Sequence, residues 1–499
     1  MLKHYYSQKR LRGIAVADQH FTIGHLIDGQ PQSSKEQFAV TDPGQLGTTV
    51  ATVAAAGETE VDRAVAAATA AATQWANTPA EERAQLLLGA ADRLDKVNSF
   101  LADTLSREQG MLLKATTRDA GNGAKALREA ALIGPAFMTP KEHSDSAAHL
   151  LVERRPRGVV AASVPWNAPL GLTMGKVGPA LVTGNCIIVK PSPLAPVAVT
   201  LALQEIASLF PPGVISVLNG DTAGPLLSAH PGVNKISFTG SIETGVRVLN
   251  SASATLKHVT LELGGNDPAL ILPDADFDTS VASIFRQAMA RSGQVCYAVK
   301  RVYIPRAQYR QYCDAFITAA EQLVLGYGRA PEATLAPLNN RAQFDFVNQL
   351  ADSAAASGAR VHEAGTRLPL ATPDQGYYLL PRIVTDLAAD HPLVTEEQFG
   401  PLLPLIPYDN EDDAIAQCNA TRYGLGASVW SRDEHHARQC LRQIRSGVGF
   451  VNSHSRTPLA DKHMPFGGTK MSGLGRNRAD AGLAEYVEPY AISTKQSSG

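Results

Sequence analysis

Beyond Arg157, short aliphatic runs alternate with longer helix-patterned segments, and this constrains the fold more than any other feature of the 499-residue chain. The runs 158–164, 186–190, 214–218 and 235–239 are bounded by Gly, Pro or Asn and are too short to be helices. Strands that are apolar on both faces belong in a sheet covered by helices on both sides. The helical pattern 197–209 falls between two of them. Strand, helix, strand in that order specifies βαβ units and a parallel sheet. A second series predicts strands at 269–272, 300–304, 403–407, 427–430 and 449–452, with helices again between them. Before Arg157 the chain is Ala-rich and helical in pattern, over Val61–Trp75, 80–108 and 114–132, with Thr59 and Asp62 as a weak capping box. Residues 486–493 read as a strand free to join another sheet. Two α/β domains are expected.

Net charge is −2, which gives no general attraction to nucleic acid or anionic membranes. No apolar run reaches the length of a membrane span. The N-terminus lacks the apolar core of a secretory signal. Residues 1–17 carry Lys3, Lys9, Arg10 and Arg12 without an acid, and a loose basic arm is favoured over a transit peptide. Five scattered cysteines with no C-x-x-C predict a reducing compartment, and a cytoplasmic location is expected.

Two segments suit an anion-bearing ligand. Ile236-Ser237-Phe238-Thr239-Gly240-Ser241 closes a strand and opens a helix, with Gly245 just beyond. Backbone N–H groups and the helix dipole at such a turn face a pyrophosphate well. Taken alone, the spacing fits a plain strand-to-helix turn better. Lys190 ends another strand, where α/β sheets bind ligands, and could hydrogen-bond a ribose or simply be solvated.

The reactive candidates are Cys296, Glu262 and Asn167. A thiol, a carboxylate and an amide donor are the three parts a protein needs to oxidise an aldehyde through a thioester, with a hydride acceptor supplied from outside. The thiolate attacks the carbonyl, the amide and the Cys296 backbone N–H hold the oxyanion, and the carboxylate activates water. Gly293 would allow a ligand close to the backbone. Each has a plainer reading: a packed cysteine, a strand-end acid, a turn asparagine. Only their coincidence favours chemistry. His436 and Cys440 lie four apart in a helical stretch, but two ligands do not make a site, so an exposed helix face and no metal are predicted.

With these residues in view, the chain resembles the aldehyde dehydrogenase superfamily from about residue 25 to about residue 490. The resemblance rests on Pro165-Trp166-Asn167, Gly184-Asn185 leading to Lys190-Pro191, Phe238-Thr239-Gly240-Ser241, Leu261-Glu262-Leu263-Gly264-Gly265, Gly293-Gln294-Val295-Cys296, Glu397-Gln398-Phe399-Gly400-Pro401 and Pro465-Phe466-Gly467-Gly468. It implies a Rossmann-like cofactor domain (1–137 and 155–262), an α/β catalytic domain (263–465) and a small β oligomerisation flap (138–154 and 482–499), assembled as dimers or tetramers. It implies Cys296 as nucleophile, Glu262 as base, Asn167 as oxyanion donor and Lys176 near the reacting centre. For the cofactor, NAD or NADP, it implies Trp166, Lys190, Ser192, Pro193, Gly240, Ser241, Gly245, Leu263, Glu397 and Phe399, with Glu397 on the nicotinamide ribose.

Two departures from the family pattern stand out. Pro193 replaces a glutamate common in NAD-preferring members and offers no side-chain acceptor, so a 2′-phosphate meets no repulsion there and NADP should be tolerated. The expected aldehyde pocket (Ala168, Leu172, Gly175, Val295, Tyr297, His454 and Arg456) has small residues at Ala168 and Gly175, as at nearby Ala290, which leaves room for a bulky aldehyde. Relatives that pass the acyl group to coenzyme A generally lack the hydrolytic glutamate, so Glu262 points to water. A non-catalytic nucleotide-binding protein would need none of the three reactive residues. A cysteine hydrolase lacks a Cys–His motif and leaves the nucleotide elements unexplained.

Overall fold

The structure is a computed structural model that describes residues 20–495; the basic arm at 1–17 lies outside the described residues. The chain divides into two compact units. One takes in 20–108, 116–236 and 486–495, the other 109–115 and 237–485.

In the first unit the strands Val159–Ser163, Cys186–Lys190 and Ile215–Val217 run parallel, with Val160 opposite Ile187 and Ile187 opposite Ile215. Val160, Ile187, Ile188 and Val189 are wholly buried. Each such side chain contributes about 1.5–3 kcal/mol relative to exposure, which is why the runs read so clearly as strands. His25–Ile27 extends the sheet as an antiparallel neighbour of Ile215–Val217. The helices Glu58–Asn77, Ala80–Gln109, Leu113–Met138, Pro169–Val182 and Val197–Ala207 accompany it. A separate sheet places Ala148–Pro156 between Lys141–Ser144 and Val487–Lys495, all antiparallel, so the C-terminal segment does pair as a strand.

The second unit is built on a seven-stranded sheet in the order Arg360–Glu363, Arg382–Thr385, Leu402–Tyr408, Val299–Pro305, Asp267–Ile271, Gly426–Trp430 and Val448–Val451. Only the first of these is antiparallel to its neighbour. His258–Glu262 pairs with Gly473–Leu474, with Glu262 opposite Gly473.

Three local features differ from the sequence reading. The helix from Glu58 is capped through Glu60, whose Oε2 accepts the Gly57 N–H at 2.8 Å, and not through Thr59 and Asp62. A carboxylate one turn in reaches back to an orphan donor that a threonine inside the helix cannot serve. The third helix runs beyond 132 to Met138, through Pro135. The N-terminal sheet of Phe21–Ile23, Gln37–Asp42 and Gln45–Ala54 is also new, because Gln45–Ala54 is half exposed and carries no continuous apolar signal.

Candidate active site

Cys296 follows a strained turn. Arg291 (φ 51°), Ser292 (φ 56°) and Gly293 (φ 77°) are consecutive residues in the left-handed region. A non-glycine residue there costs roughly 1–2 kcal/mol, so the surroundings must enforce the shape. Ser292 Oγ donates to Ala336 O at 2.8 Å, Gln294 Oε1 accepts from Asn339 N at 2.9 Å, and Lys300 Nζ donates to Gly293 O at 2.6 Å. A Cβ on Gly293 would run into the Gly400 carbonyl. The close approach that this glycine permits is therefore to the chain's own backbone, where the sequence suggested a ligand.

Cys296 as a residue is partly exposed, and its thiol sits among carboxylates. Burial, reinforced by the negative charges of Glu397, Glu262 and Asp267, pushes its thiol up to about 12, while the Tyr297 backbone N–H donates to the sulfur and pulls the other way.

Glu397 reaches this centre through a gap left by two glycines. Its Oε1 accepts the Gly265 N–H at 3.0 Å, and a Cβ on Gly264 would overlap Oε2. Lys300, 1% exposed, lies 5.1 Å from the centre of the Phe399 ring. Burial raises the Glu397 carboxyl and lowers the Lys300 ammonium, and the charge of each opposes the shift of the other. The sequence reading missed Lys300. Its signal was a lysine, next to an arginine, within an otherwise largely apolar strand, since a buried cation requires a partner.

Glu262 ends its strand at 5% exposure, and a Cβ on Gly467 would lie 3.0 Å from its Oε1, so Gly467 leaves room for that carboxylate. Tyr297 packs edge-on to Phe466, ring centres 5.5 Å apart, and the Arg456 guanidinium lies 5.8 Å from the Tyr297 ring and 5.7 Å from Phe466. His454 is fully enclosed, its Nε2 2.9 Å from Tyr297 O and 3.4 Å from Asp267 Oδ2. It lies beneath Tyr297, whereas Tyr297, Arg456 and partly exposed Val295 have accessible surface.

The first unit holds the other expected residues. The helix Pro169–Val182 begins on the Asp119 carboxylate, which accepts Leu170 N at 3.1 Å and Gly171 N at 3.3 Å. That anchor fixes the preceding Trp166-Asn167-Ala168. Asn167 (5%) and Lys176 (2%) are buried, and Trp166, Ala168 and Leu172 are partly exposed. A Cβ on Gly175 would meet nothing within 4 Å. Gly184-Asn185 is structural: Asn185 Oδ1 accepts Gly158 N at 2.9 Å and its Nδ2 donates to Tyr486 O at 2.9 Å.

Lys190 ends its strand, where burial lowers its ammonium and the Asp221 charge opposes this. Asp221 Oδ1 at 3.8 Å is beyond hydrogen-bond range, leaving donors for a polyol. Ser192 Oγ accepts Leu194 N at 3.3 Å, and Pro193 beside it is half-buried. In the second unit Ser241 caps the helix Ile242–Ser253, its Oγ accepting Thr244 N at 3.2 Å. A Cβ on Gly245 would lie 2.6 Å from Leu263 Cδ2, so this glycine lets the helix settle on Leu263. A Cβ on Gly240 would lie 2.6 Å from the Phe238 ring.

The frame is α/β, and it carries Cys296 on a strained, cross-braced turn. Comparison with known proteins makes the class specific. The aldehyde dehydrogenase family model matches residues 30–492. The chain is 31% identical over 477 residues to a betaine aldehyde dehydrogenase of Vibrio vulnificus (strain CMCP6), covering 94% of this chain and 96% of that protein. It superposes on an NAD-dependent aldehyde dehydrogenase of Sinorhizobium meliloti with a TM-score of 0.91 at 28% identity, over 95% of each chain. An NADP-dependent enzyme of E. coli gives a TM-score of 0.91 at 29% identity, over 95% of this chain and 98% of that one. The chain belongs to the aldehyde dehydrogenase family. It is an oxidoreductase that oxidises an aldehyde with NAD(P)+. Among the described residues, no helix is long and apolar enough to cross a membrane.

Proposed function

We propose that the oxidation runs through a thioester on Cys296 that is released by water. The carrying observation is the placement of the sulfur, on a braced turn and under the charges of Glu262 and Glu397. The Cys296 thiolate adds to the aldehyde carbonyl, and the amide of Asn167 and the Cys296 N–H serve the oxyanion. Bound NAD(P)+ supplies the hydride acceptor as that adduct collapses to the thioester. Glu262 then takes a proton from water, and the hydroxide released attacks the thioester carbon to yield the carboxylate and free thiol. Glu397 holds the nicotinamide ribose, Lys190 and Ser192 the adenosine side, and the Gly240-Ser241 turn with Gly245, Leu263 and Phe399 the rest of the dinucleotide. Trp166 is assigned to the cofactor and Lys176 to the reacting centre on the family resemblance alone.

The expected domain boundaries stand as part of this reading: 1–137 and 155–262 for the cofactor, 263–465 for catalysis, 138–154 and 482–499 for oligomerisation. An antiparallel sheet leaving Tyr490 (42%) and Ile492 (40%) exposed supports a homodimer or homotetramer through the last of these. The open space at Gly175 supports a bulky, aromatic aldehyde, and a cytoplasmic site of action fits five free cysteines.

The test is a panel of aromatic and short aliphatic aldehydes with NAD+ and NADP+, each with and without coenzyme A, followed by reduced-nicotinamide absorbance. Water-dependent turnover without coenzyme A is expected, with higher kcat/KM for aromatic aldehydes. Cys296→Ala should abolish the signal. Glu262→Gln should leave a burst of reduced cofactor followed by slow turnover; an unchanged steady-state rate would overturn the assignment of the base.

A further inference from the structure

We propose that Glu411, His436 and Cys440 form a binding site for a zinc-class divalent ion. The sequence supplies only a pair on one helix face. The fold adds a third ligand from a separate helix: Glu411 opens the helix Glu411–Asn419, and its carboxylate meets His436 and Cys440 on the helix Glu434–Gln443.

The distances suit a shared ion. His436 Nε2 lies 3.0 Å from Glu411 Oε2, the Cys440 sulfur 3.2 Å from Oε1 and 3.8 Å from Nε2. Tetrahedral zinc, with bonds of about 2.0–2.3 Å to N, O and S, needs ligand atoms roughly 3.3–3.6 Å apart. Adjustment of a few tenths of an ångström therefore admits the ion, with the fourth position left to water. Sulfur, nitrogen and oxygen together select a borderline ion such as zinc over magnesium or calcium, which prefer oxygen alone.

The ligands are held from behind. Asp433 Oδ1 accepts from His435 N and His436 N, each at 3.0 Å, and fixes the turn that carries the imidazole. Cys440 is wholly buried, while Glu411 and His436 keep partial access for an entering ion. Asp412, Asp413 and Asp433 lie next to these residues in the chain and add negative potential.

The test uses the full chain freed of metal with a chelator and titrated with Co2+, then Zn2+. A thiolate-to-cobalt charge-transfer band with tetrahedral visible absorption is expected at one ion per chain, displaced by zinc, together with a higher unfolding midpoint. Cys440→Ser and His436→Gln should lose the band. Glu411→Gln should weaken binding about tenfold or more and carries the test if the buried Cys440→Ser variant fails to fold. Cys296→Ser should keep the band. Absence of the band in the parent, or its loss in Cys296→Ser with retention in Cys440→Ser or Glu411→Gln, would show a hydrogen-bonded cluster only and overturn the proposal.

Discussion

Gly264→Ala separates cofactor binding from folding. The new Cβ would overlap Glu397 Oε2 and lie 2.9 Å from its Cδ and 3.2 Å from its Oε1. All three atoms belong to the far end of one flexible side chain, so the carboxylate moves and the backbone stays. Movement breaks the 3.0 Å bond from Gly265 N–H to Glu397. A hydrogen bond to a charged group contributes about 1.5–3 kcal/mol. If Glu397 spends that fixity on the nicotinamide ribose, the loss appears as cofactor affinity at tenfold per 1.4 kcal/mol, so KM for NAD(P)+ should rise about 10- to 100-fold. Gly265→Ala is the contrast: its Cβ would collide with the Cys296 backbone carbonyl and lie 3.0 Å from Leu425 Cβ, which should displace the nucleophile and lower kcat. Initial rates at varied cofactor, with thermal unfolding on the same samples, decide it. A Gly264→Ala enzyme with parental cofactor KM would refute the role of Glu397, because no other group takes up the displacement.

Three further outcomes follow from the same geometry. Pro193→Glu restores a carboxylate beside Lys190 and should raise KM for NADP+ about tenfold or more while sparing NAD+; equal changes for both would show that this position does not face the 2′ oxygen. With the Cys296 thiol at about 12, its thiolate fraction grows with each pH unit, so inactivation of the free protein by iodoacetamide should accelerate from pH 7 to 10 without levelling; a plateau near pH 8 would contradict the influence of burial and of the three carboxylates. Glu108→Leu removes the acceptor for Val197 N (2.7 Å) and Ala198 N (2.8 Å), and two buried donors left unmet cost about 1–3 kcal/mol each, so the unfolding midpoint should fall by roughly 2–6 °C.

What the sequence made legible follows burial symmetry. Cys186–Lys190 and Gly426–Trp430 are enclosed on both faces, so every residue obeys one rule and the strand shows in any short window. Gln45–Ala54 alternates irregularly between water and core, and the same window returns no signal. The thiol proposed as nucleophile carries a motif in its own sequence neighbours. Its electrostatic setting could not be read there, because Glu397 and Asp267 come from distant stretches of chain that only the fold brings near Cys296.

Val299–Pro305 shows how far the limit extends. It is buried at every position, yet it opens with Lys300 and Arg301. Read as hydropathy, those two cations argue for a strand end in water. Read as a desolvation debt, they require acceptors, and the fold provides them: Gly293 O for Lys300, and Asn266 O, Cys418 O and the Tyr303 hydroxyl for Arg301. Glu411 entered the metal-ligand set for the same reason, being remote in sequence and adjacent only through helix packing. A charged residue inside an apolar run is thus the sequence's own marker for a long-range polar contact. It reveals that a partner exists, and the identity of that partner is set by the topology of the sheet.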